Sequence, residues 1–289
     1  MIVSGFTFIR NAVLYDYPVV ESILSLLPLV DELVVAVGNS ADGTLSLIKS
    51  IDSPKIKIIH TEWDENFRSG GRVLAMETDK ALSAVRPDAD WCFYLQADEV
   101  IHEKYHETIR SAMARWKDDK NVDGLLFDYL HFYGSYDYIA TSSAWYKYEV
   151  RVIRNDRNIF SYRDAQGFRK GDNQKLRVKN SGAFIYHYGW VKPPARMMEK
   201  QRSFQKWWHD DKWMEKNVSS ADEFDYSGID ILEKFKGTHP VVMKDRINRL
   251  NWHFERDISK NKASVKERLK ALLLINFGID LSYRNFIRI

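Results

Sequence analysis

The chain has 289 residues, of which 45% are hydrophobic and 29% are charged, a balance typical of a globular protein rather than a disordered one. Its formal net charge of +3 is too small to indicate a general nucleic-acid binder. The single cysteine, Cys92, excludes an internal disulfide and any zinc site built from several cysteines.

The first part of the chain is predicted to alternate between short apolar strands and helices. Strands are predicted over residues 2–9, 32–37, 55–59 and 91–95, and helices over 17–27, 45–51, 72–85 and 103–116. This alternation favours an α/β fold with a mostly parallel sheet flanked by helices. Ligands bind such sheets at the carboxyl ends of the strands, where this sequence places the polar segments 10–11, 38–44 and 96–99.

After about residue 120 the alternation ends. Further strands are predicted over residues 124–131, 146–153 and 183–187, and helices over 197–213, 240–254 and 265–273. We therefore expect one domain over residues 1–192, followed by a helical extension over residues 193–289. The last predicted helix is basic and amphipathic. This helix could contact an anionic membrane surface, cap the domain or form a homodimer contact, and the sequence does not choose among these three roles.

The N-terminal sequence MIVSGFTFIRN enters an apolar strand at once and lacks the pattern of a signal peptide. No apolar run approaches the roughly 18–20 residues that cross a bilayer. The expected location is the cytoplasm, with the inner face of the membrane as the site of any peripheral contact.

The stretch FYLQADEVIH, residues 93–102, ends an apolar strand in two carboxylates. Side-chain alternation places Gln96 and Asp98 on the same side of the chain. Mg²⁺ and Mn²⁺ prefer oxygen ligands and often take only one or two carboxylates, with phosphate oxygens and water completing the shell. Asp98 is therefore a candidate metal ligand. The alternative is an ordinary acid that starts the next helix.

The loop VVAVGNSADGT, residues 34–44, follows the second predicted strand. Its residues Gly38, Asn39 and Asp42 can approach a nucleoside closely. The alternative for Asp42 is capping of the helix that follows it.

Together, FIRN after the first strand, VVAVGNSADGT and CFYLQADEVI resemble a family-2 glycosyltransferase of the GT-A fold, over roughly residues 2–190. Residues 40–44, SADGT, match the Ser-Thr-Asp-Gly-Thr-like turn of that family. Its metal motif Asp-x-Asp stands here as Gln96-Ala97-Asp98, without the first acid. The acids that usually precede the turn are replaced by Val37 and Gly38.

The resemblance implies a Rossmann-like nucleotide-binding half and transfer of a sugar from a nucleotide-diphosphate sugar, with a UDP-sugar favoured. The acceptor would be a hydroxyl of a glycan or a lipid-linked molecule, as in bacterial-type surface polysaccharide or glycoconjugate synthesis. It further implies inversion at the anomeric carbon and dependence on Mn²⁺ or Mg²⁺. Asp98 would bind the metal and Gln96 the nucleotide.

The segment AFIYHYGWVKPP, residues 183–194, holds a histidine at the end of a predicted strand. The resemblance implies that His187 supplies a second metal ligand; the alternative is a structural histidine in an aromatic cluster. Lys192 can place positive charge on the donor phosphates. The other candidate donor contacts follow the first and third strands, at Arg10, Asn11, Trp63, Asp64, Glu65, Arg68 and Arg72.

Inverting transfer needs a carboxylate that takes the proton of the acceptor hydroxyl. The resemblance places this base after the fourth strand, where Asp164 and Glu149 are the candidates. Asp164 is favoured because glycines surround it in a loop, whereas Glu149 lies in an alternating strand beside Arg151. The aromatic helix that begins near Met197 can line an acceptor groove or simply pack in the core.

Two other classes of protein stay open. A sugar-nucleotide pyrophosphorylase shares the sheet plan, but it usually has a glycine-rich loop where this chain has the sequence RNAV after the first strand. A non-catalytic carbohydrate- or partner-binding protein would use the aromatic surface and would not need Asp98.

Overall fold

The computed structural model describes residues 1–65, 67–218, 221–229, 231–261, 269–270, 272–273, 276 and 284–289, and it confirms the predicted α/β class. The first four strands are β1 (Val3–Ile9), β2 (Glu32–Val37), β3 (Ile56–His60) and β4 (Trp91–Tyr94). They pair in parallel in the order β3-β2-β1-β4. The helices between and after them are α1 (Val19–Leu26), α2 (Thr44–Lys49), α3 (Arg72–Ser83) and α4 (His106–Trp116).

The continuous apolar sequence of β2 reflects burial on both of its faces. Leu33 and Val35 pack in one hydrophobic cluster with residues of α1. Val34 and Ala36 pack in a second cluster with residues of α3 on the other face of the sheet. Because successive side chains point to opposite faces, a strand covered on both sides has no polar alternation.

The second half of the sheet is mostly antiparallel. Its main strands are β6 (Gly124–Tyr133), β8 (Tyr148–Arg154) and β11 (Gln174–Trp190), joined by the shorter β5 (Glu99–Ile101), β7 (Tyr138–Ala140), β9 (Ile159–Tyr162) and β10 (Gly167–Lys170). Strand β8 lies antiparallel between β4 and β6. Strand β11 runs parallel to β6, and the hairpin of β9 and β10 extends the sheet beyond it.

The long strand β11 brings together residues that are distant in the chain. It pairs with β5 so that His187 lies opposite Glu99, and with β6 so that His187 lies opposite His131. The residue that precedes β5, Asp98, therefore comes to lie beside His187.

The sequence predicts a helical extension from residue 193 onward. The structure instead contains both helices and short strands there. The predicted helix over 197–213 is two helices, α5 (Pro194–Gln205) and α6 (Asp211–Asn217), because the Asp210 side chain accepts a hydrogen bond from Trp213 N (2.8 Å) and caps a new helix. Only α7 (Lys244–Asn248) and one short 3₁₀ turn form within 240–254.

Two short strands of this segment complete the sheet. Strand β12 (Leu232–Lys234) pairs with β7, and β13 (Phe286–Arg288) pairs with β11. The predicted basic helix over 265–273 lies largely outside the described residues. Within the described part of the chain, no helix is both long enough and apolar enough to cross a membrane.

Candidate functional site

A cavity of ≈ 1400 Å³ opens at the carboxyl ends of β1 and β4. Helix α3, the hairpin of β9 and β10, and helix α5 form its other walls. Ten of the residues predicted from the sequence line it: Arg10, Asn11, Trp63, Glu65, Arg68, Arg72, Gln96, Asp98, Asp164 and His187. The site therefore lies where a parallel α/β sheet ordinarily binds its ligand.

The two predicted metal ligands lie side by side on the cavity wall. Asp98 Oδ2 is 3.7 Å from His187 Nε2, and the backbone N–H of Tyr188 donates to the carbonyl of Asp98 (2.8 Å). Bonds from divalent ions to protein oxygen and nitrogen atoms are about 2.0–2.2 Å long, so one ion can contact both side chains.

A chain of hydrogen bonds engages His187 Nδ1 and turns His187 Nε2 toward Asp98. His131 Nε2 lies 2.7 Å from the carbonyl oxygen of Tyr146, which can only accept, so this nitrogen carries the proton. Burial, together with His187, lowers the pKa of His131 to about 3, and the ring is neutral. His131 Nδ1 therefore accepts from His187 Nδ1 (2.9 Å), so the nitrogen of His187 that faces Asp98 is Nε2 (3.7 Å).

Gly189 leaves room around this pair. A Cβ atom at Gly189 would lie 2.6 Å from both Asp98 Oδ2 and His187 Nε2. In the described part of the chain, no group of three or more His, Cys, Asp or Glu side chains is arranged to hold a metal. The residues present fit Mg²⁺ or Mn²⁺ with two protein ligands, because phosphate oxygens and water commonly supply the rest.

Lys200 on α5 is the cation nearest to Asp98. Its Nζ donates to Asp98 Oδ2 (3.2 Å) and to the carbonyl of Gly189 (2.9 Å). Burial alone would raise the pKa of Asp98, but Lys200 and His187 hold it well below its ordinary value. Asp98 is therefore an anion throughout the neutral range.

Lys192, predicted to reach the donor phosphates, lies elsewhere. Its side chain is fully buried and does not line the cavity. Its Nζ donates to the carbonyl of Asp16 (2.6 Å) and lies 4.4 Å from the ring centroid of Tyr17. Burial, with a smaller contribution from nearby Lys200, lowers its pKa well below the usual value.

Glu99, the second carboxylate of the stretch FYLQADEVIH, has a structural role. It forms a buried ion pair with Arg151, whose Nε and Nη2 donate to its two oxygens at 2.9 and 2.7 Å. It also accepts from Tyr129 Oη (2.8 Å) and from the backbone N–H of Gln96 (3.0 Å). These contacts hold the turn that directs Asp98 into the cavity.

Asp164 occupies a tight turn between β9 and β10. Its neighbours Arg163 and Ala165 have φ angles of 55° and 63°, a conformation that costs free energy in non-glycine residues and is common at functional sites. Burial raises the pKa of Asp164, which makes it a better proton acceptor when ionised. Gln96 Nε2 donates to the carbonyl of Ala165 (3.3 Å) and so connects this turn to the segment that carries Asp98.

Glu149 does not line the cavity. It is buried under the hairpin, and burial raises its pKa to about 8. It is therefore protonated near neutral pH and cannot take a proton from an acceptor there. The geometry favours Asp164 over Glu149.

Arg10 forms the far wall of the cavity. Its guanidinium lies 5.6 Å from the ring centroid of Trp63 and 5.8 Å from that of Trp207. It pairs with Glu65 and donates from Nε to the carbonyl of Asn39 (3.2 Å). An aromatic and cationic surface of this kind suits a nucleobase or a sugar face.

Three predicted donor contacts, Gly38, Asn39 and Asp42, do not line the cavity. Asp42 accepts from the backbone N–H groups of Leu14 (2.7 Å) and Thr44 (3.0 Å). A Cβ at Gly38 would lie 2.4 Å from Trp63 Nε1, so only glycine lets that ring pack. Asp42 therefore holds the turn that leads into α2, whose N-cap is Gly43.

Sequence reasoning missed Lys200, His131 and Asp79. Asp79 lines the cavity, accepts from the backbone N–H of Ser161 (2.7 Å), and burial raises its pKa to about 6. The one available signal was the helical spacing of Lys200 and Phe204, which places both side chains on one face of α5. No local pattern marks His131, because its role depends on pairing between β6 and β11.

No family model matches the chain, and no curated protein matches its sequence. A structure of S. aureus TarS matches over 71% of this chain and 39% of that chain, with 17% identity and a TM-score of 0.41. A structure of S. aureus TarS 1–349 in complex with UDP matches over 77% of this chain and 68% of that chain, with 16% identity and a TM-score of 0.41.

Glucosyl-3-phosphoglycerate synthase from Mycobacterium tuberculosis, in complex with Mn²⁺, UDP and phosphoglyceric acid, matches over 45% of this chain and 43% of that chain. Its identity is 19% and its TM-score 0.29. The chain spans less than half the length of the TarS chain. At these identities and TM-scores the likeness carries no functional inference.

Proposed function

We propose that the chain is a glycosyltransferase that moves a sugar from a nucleotide-diphosphate sugar, favoured as a UDP-sugar, to an acceptor hydroxyl. The observation that carries the proposal is the pair of Asp98 and His187. An ionised carboxylate oxygen of Asp98 and the Nε2 atom of His187 lie 3.7 Å apart on the wall of a large cavity.

Asp98 and His187 would hold Mn²⁺ or Mg²⁺ together with the donor diphosphate. The ion would supply charge neutralisation to the leaving nucleoside diphosphate. Arg10 and the aromatic rings of Trp63 and Trp207 would hold the nucleoside end of the donor. Lys200, which contacts Asp98, adds positive charge on the same side of the cavity.

Asp164 would act as the base. It takes the proton of the acceptor hydroxyl as the acceptor oxygen bonds to the anomeric carbon and the bond to the diphosphate breaks. A single displacement of this kind inverts the anomeric centre. The cavity volume of ≈ 1400 Å³ exceeds the ~300–1,000 Å³ of ordinary ligand pockets, which supports simultaneous binding of donor and acceptor.

The acceptor class, a glycan or a lipid-linked molecule in bacterial-type surface polysaccharide or glycoconjugate synthesis, follows from the sequence resemblance alone. A membrane-surface contact and a homodimer remain proposals for the basic segment near the C-terminus.

A panel of nucleotide-diphosphate sugars tests the proposal. With Mn²⁺ present, the wild type should slowly release nucleoside diphosphate from one donor even without acceptor, because water can replace the acceptor hydroxyl. Asp98→Asn should reduce that release by about 10²-fold or more, since removal of a single charge-stabilising group costs that much. Release from no donor would favour a non-catalytic binding protein.

A further inference from the structure

Lys200, on helix α5, contacts Asp98, one of the two candidate metal ligands. Its side chain is 12% exposed and lines the cavity. The Nζ donates to Asp98 Oδ2 (3.2 Å) and to the carbonyl of Gly189 (2.9 Å), and it lies 5.0 Å from the ring centroid of Tyr17. Lys200 is therefore seated by two acceptors and an aromatic face, and it stays in contact with the space where a ligand binds.

The oxygen that Lys200 contacts is the one that a metal would need. Asp98 Oδ2 faces both Lys200 Nζ at 3.2 Å and His187 Nε2 at 3.7 Å. An ammonium group and a divalent ion at the same carboxylate oxygen repel each other strongly in a water-poor site. The two cations therefore compete for Asp98.

Two other cations near Asp98 already have fixed partners. Lys192 is fully buried and donates to the Asp16 carbonyl. Arg151 is held by two hydrogen bonds to Glu99. Lys200 differs from Lys192 because its charged end borders the cavity, and from Arg151 because its charge ends a flexible four-carbon stem.

We propose that Lys200 is the resident counter-cation of Asp98, and that it transfers from Asp98 to the donor diphosphate when the metal–nucleotide complex binds. This inference rests on the proposed function and adds a residue to it. Lys200 keeps Asp98 paired before the donor arrives, which disfavours metal binding alone. It then contacts the leaving group, which favours binding of metal and nucleotide together.

The proposal predicts effects of opposite sign from one substitution. Lys200→Met keeps an unbranched side chain of similar length and removes the charge. Mn²⁺ alone should bind the variant about tenfold more tightly, because a competing cation is gone. UDP in the presence of saturating Mn²⁺ should bind about tenfold more weakly, because a charged contact to the diphosphate is lost. A merely structural role would weaken both.

The experiment titrates Mn²⁺ without nucleotide by electron paramagnetic resonance, and UDP at saturating Mn²⁺ by calorimetry. The matched control is Lys216→Met, which removes the same charge from an exposed position of α6 outside the cavity and should change neither affinity. Lys200→Arg keeps the charge, so it should restore much of the UDP affinity and leave Mn²⁺ binding weak.

Opposite changes in Lys200→Met, absent in the control, would support the proposal. Equal weakening of both ligands, or no change in either, would overturn it. Near-UV circular dichroism shows whether Lys200→Met is folded. If it is misfolded, the Mn²⁺ and UDP affinities of Lys200→Arg test the proposal instead. If the wild type binds UDP under no condition, the proposed function itself fails, and this inference falls with it.

Discussion

Adding a single methyl group at Gly189 should prevent Asp98 and His187 from binding a metal ion together. The glycine does not have a left-handed φ angle, so Gly189→Ala introduces no backbone strain. Its Cβ would lie 2.6 Å from Asp98 Oδ2 and 2.6 Å from His187 Nε2. Ordinary contacts of carbon are ~3.5–4.0 Å, so both ligand atoms must retreat by about 1 Å.

Metal sites tolerate much less displacement than this, about 0.2 Å in ligand distance. We expect Mn²⁺ to bind Gly189→Ala about 100-fold more weakly, at or beyond the ~10–100-fold cost of disturbing groups that merely support a ligand. The free energy of unfolding should fall by only about 1–3 kcal/mol, as for other overpacked interiors.

Mn²⁺ titration followed by electron paramagnetic resonance measures the effect, and urea unfolding checks the fold. Gly228→Ala is the matched control, because its added Cβ would meet nothing within 4 Å and its φ angle is not left-handed. Mn²⁺ affinity of Gly189→Ala equal to that of the wild type and the control would refute the assignment of Asp98 and His187 as a metal pair.

Three further predictions concern His131, Asp164 and Glu149. His131→Phe removes the acceptor of His187 Nδ1, so Mn²⁺ affinity should fall about 10–100-fold; unchanged affinity would contradict the hydrogen-bonded relay. Asp164→Asn should slow turnover about 10²–10⁴-fold with calorimetric UDP affinity unchanged, and full activity would exclude Asp164 as the base. Burial raises the pKa of Glu149 from 4.5 to about 8, so between these pH values the folded state holds a proton that the unfolded state has lost. Wild-type stability should therefore decline with rising pH relative to Glu149→Gln, by up to about 1.4 kcal/mol per pH unit; urea unfolding at pH 5 and pH 8 measures this, and parallel profiles would contradict it.

The parallel half of the fold could be predicted because its signals are local. Continuous apolar strands such as 32–37 require cover on both faces, and a carboxylate within a few residues of the end of an apolar strand, as at Asp98, has a defined place at the sheet edge. Both conclusions depend only on residues that are close together in the chain.

The errors arise where partners are distant in sequence. The sequence predicts that Lys192 contacts the donor phosphates. In the structure its Nζ donates instead to the carbonyl of Asp16, which is 176 residues away in the chain. His131 and His187 are 56 residues apart and meet only through the register of β6 and β11. Helix α5 was predicted to be either core or groove, and only the tertiary structure shows which face meets Asp98.

The C-terminal segment was predicted less well for a related reason. Strand β13 spans only Phe286–Arg288 and pairs with one edge of β11. Three residues carry no periodicity that distinguishes a strand from a loop. Their conformation is determined by the sheet that they join.

Calorimetric titration of UDP and GDP, each with Mn²⁺ and with EDTA, tests the central claim most directly. In the wild type, one nucleotide should bind with Mn²⁺ and bind far more weakly with EDTA, and this metal dependence should vanish in Asp98→Ala. Binding of neither nucleotide under any condition, or equal binding with EDTA and in Asp98→Ala, would contradict a metal-dependent nucleotide-sugar site built on Asp98.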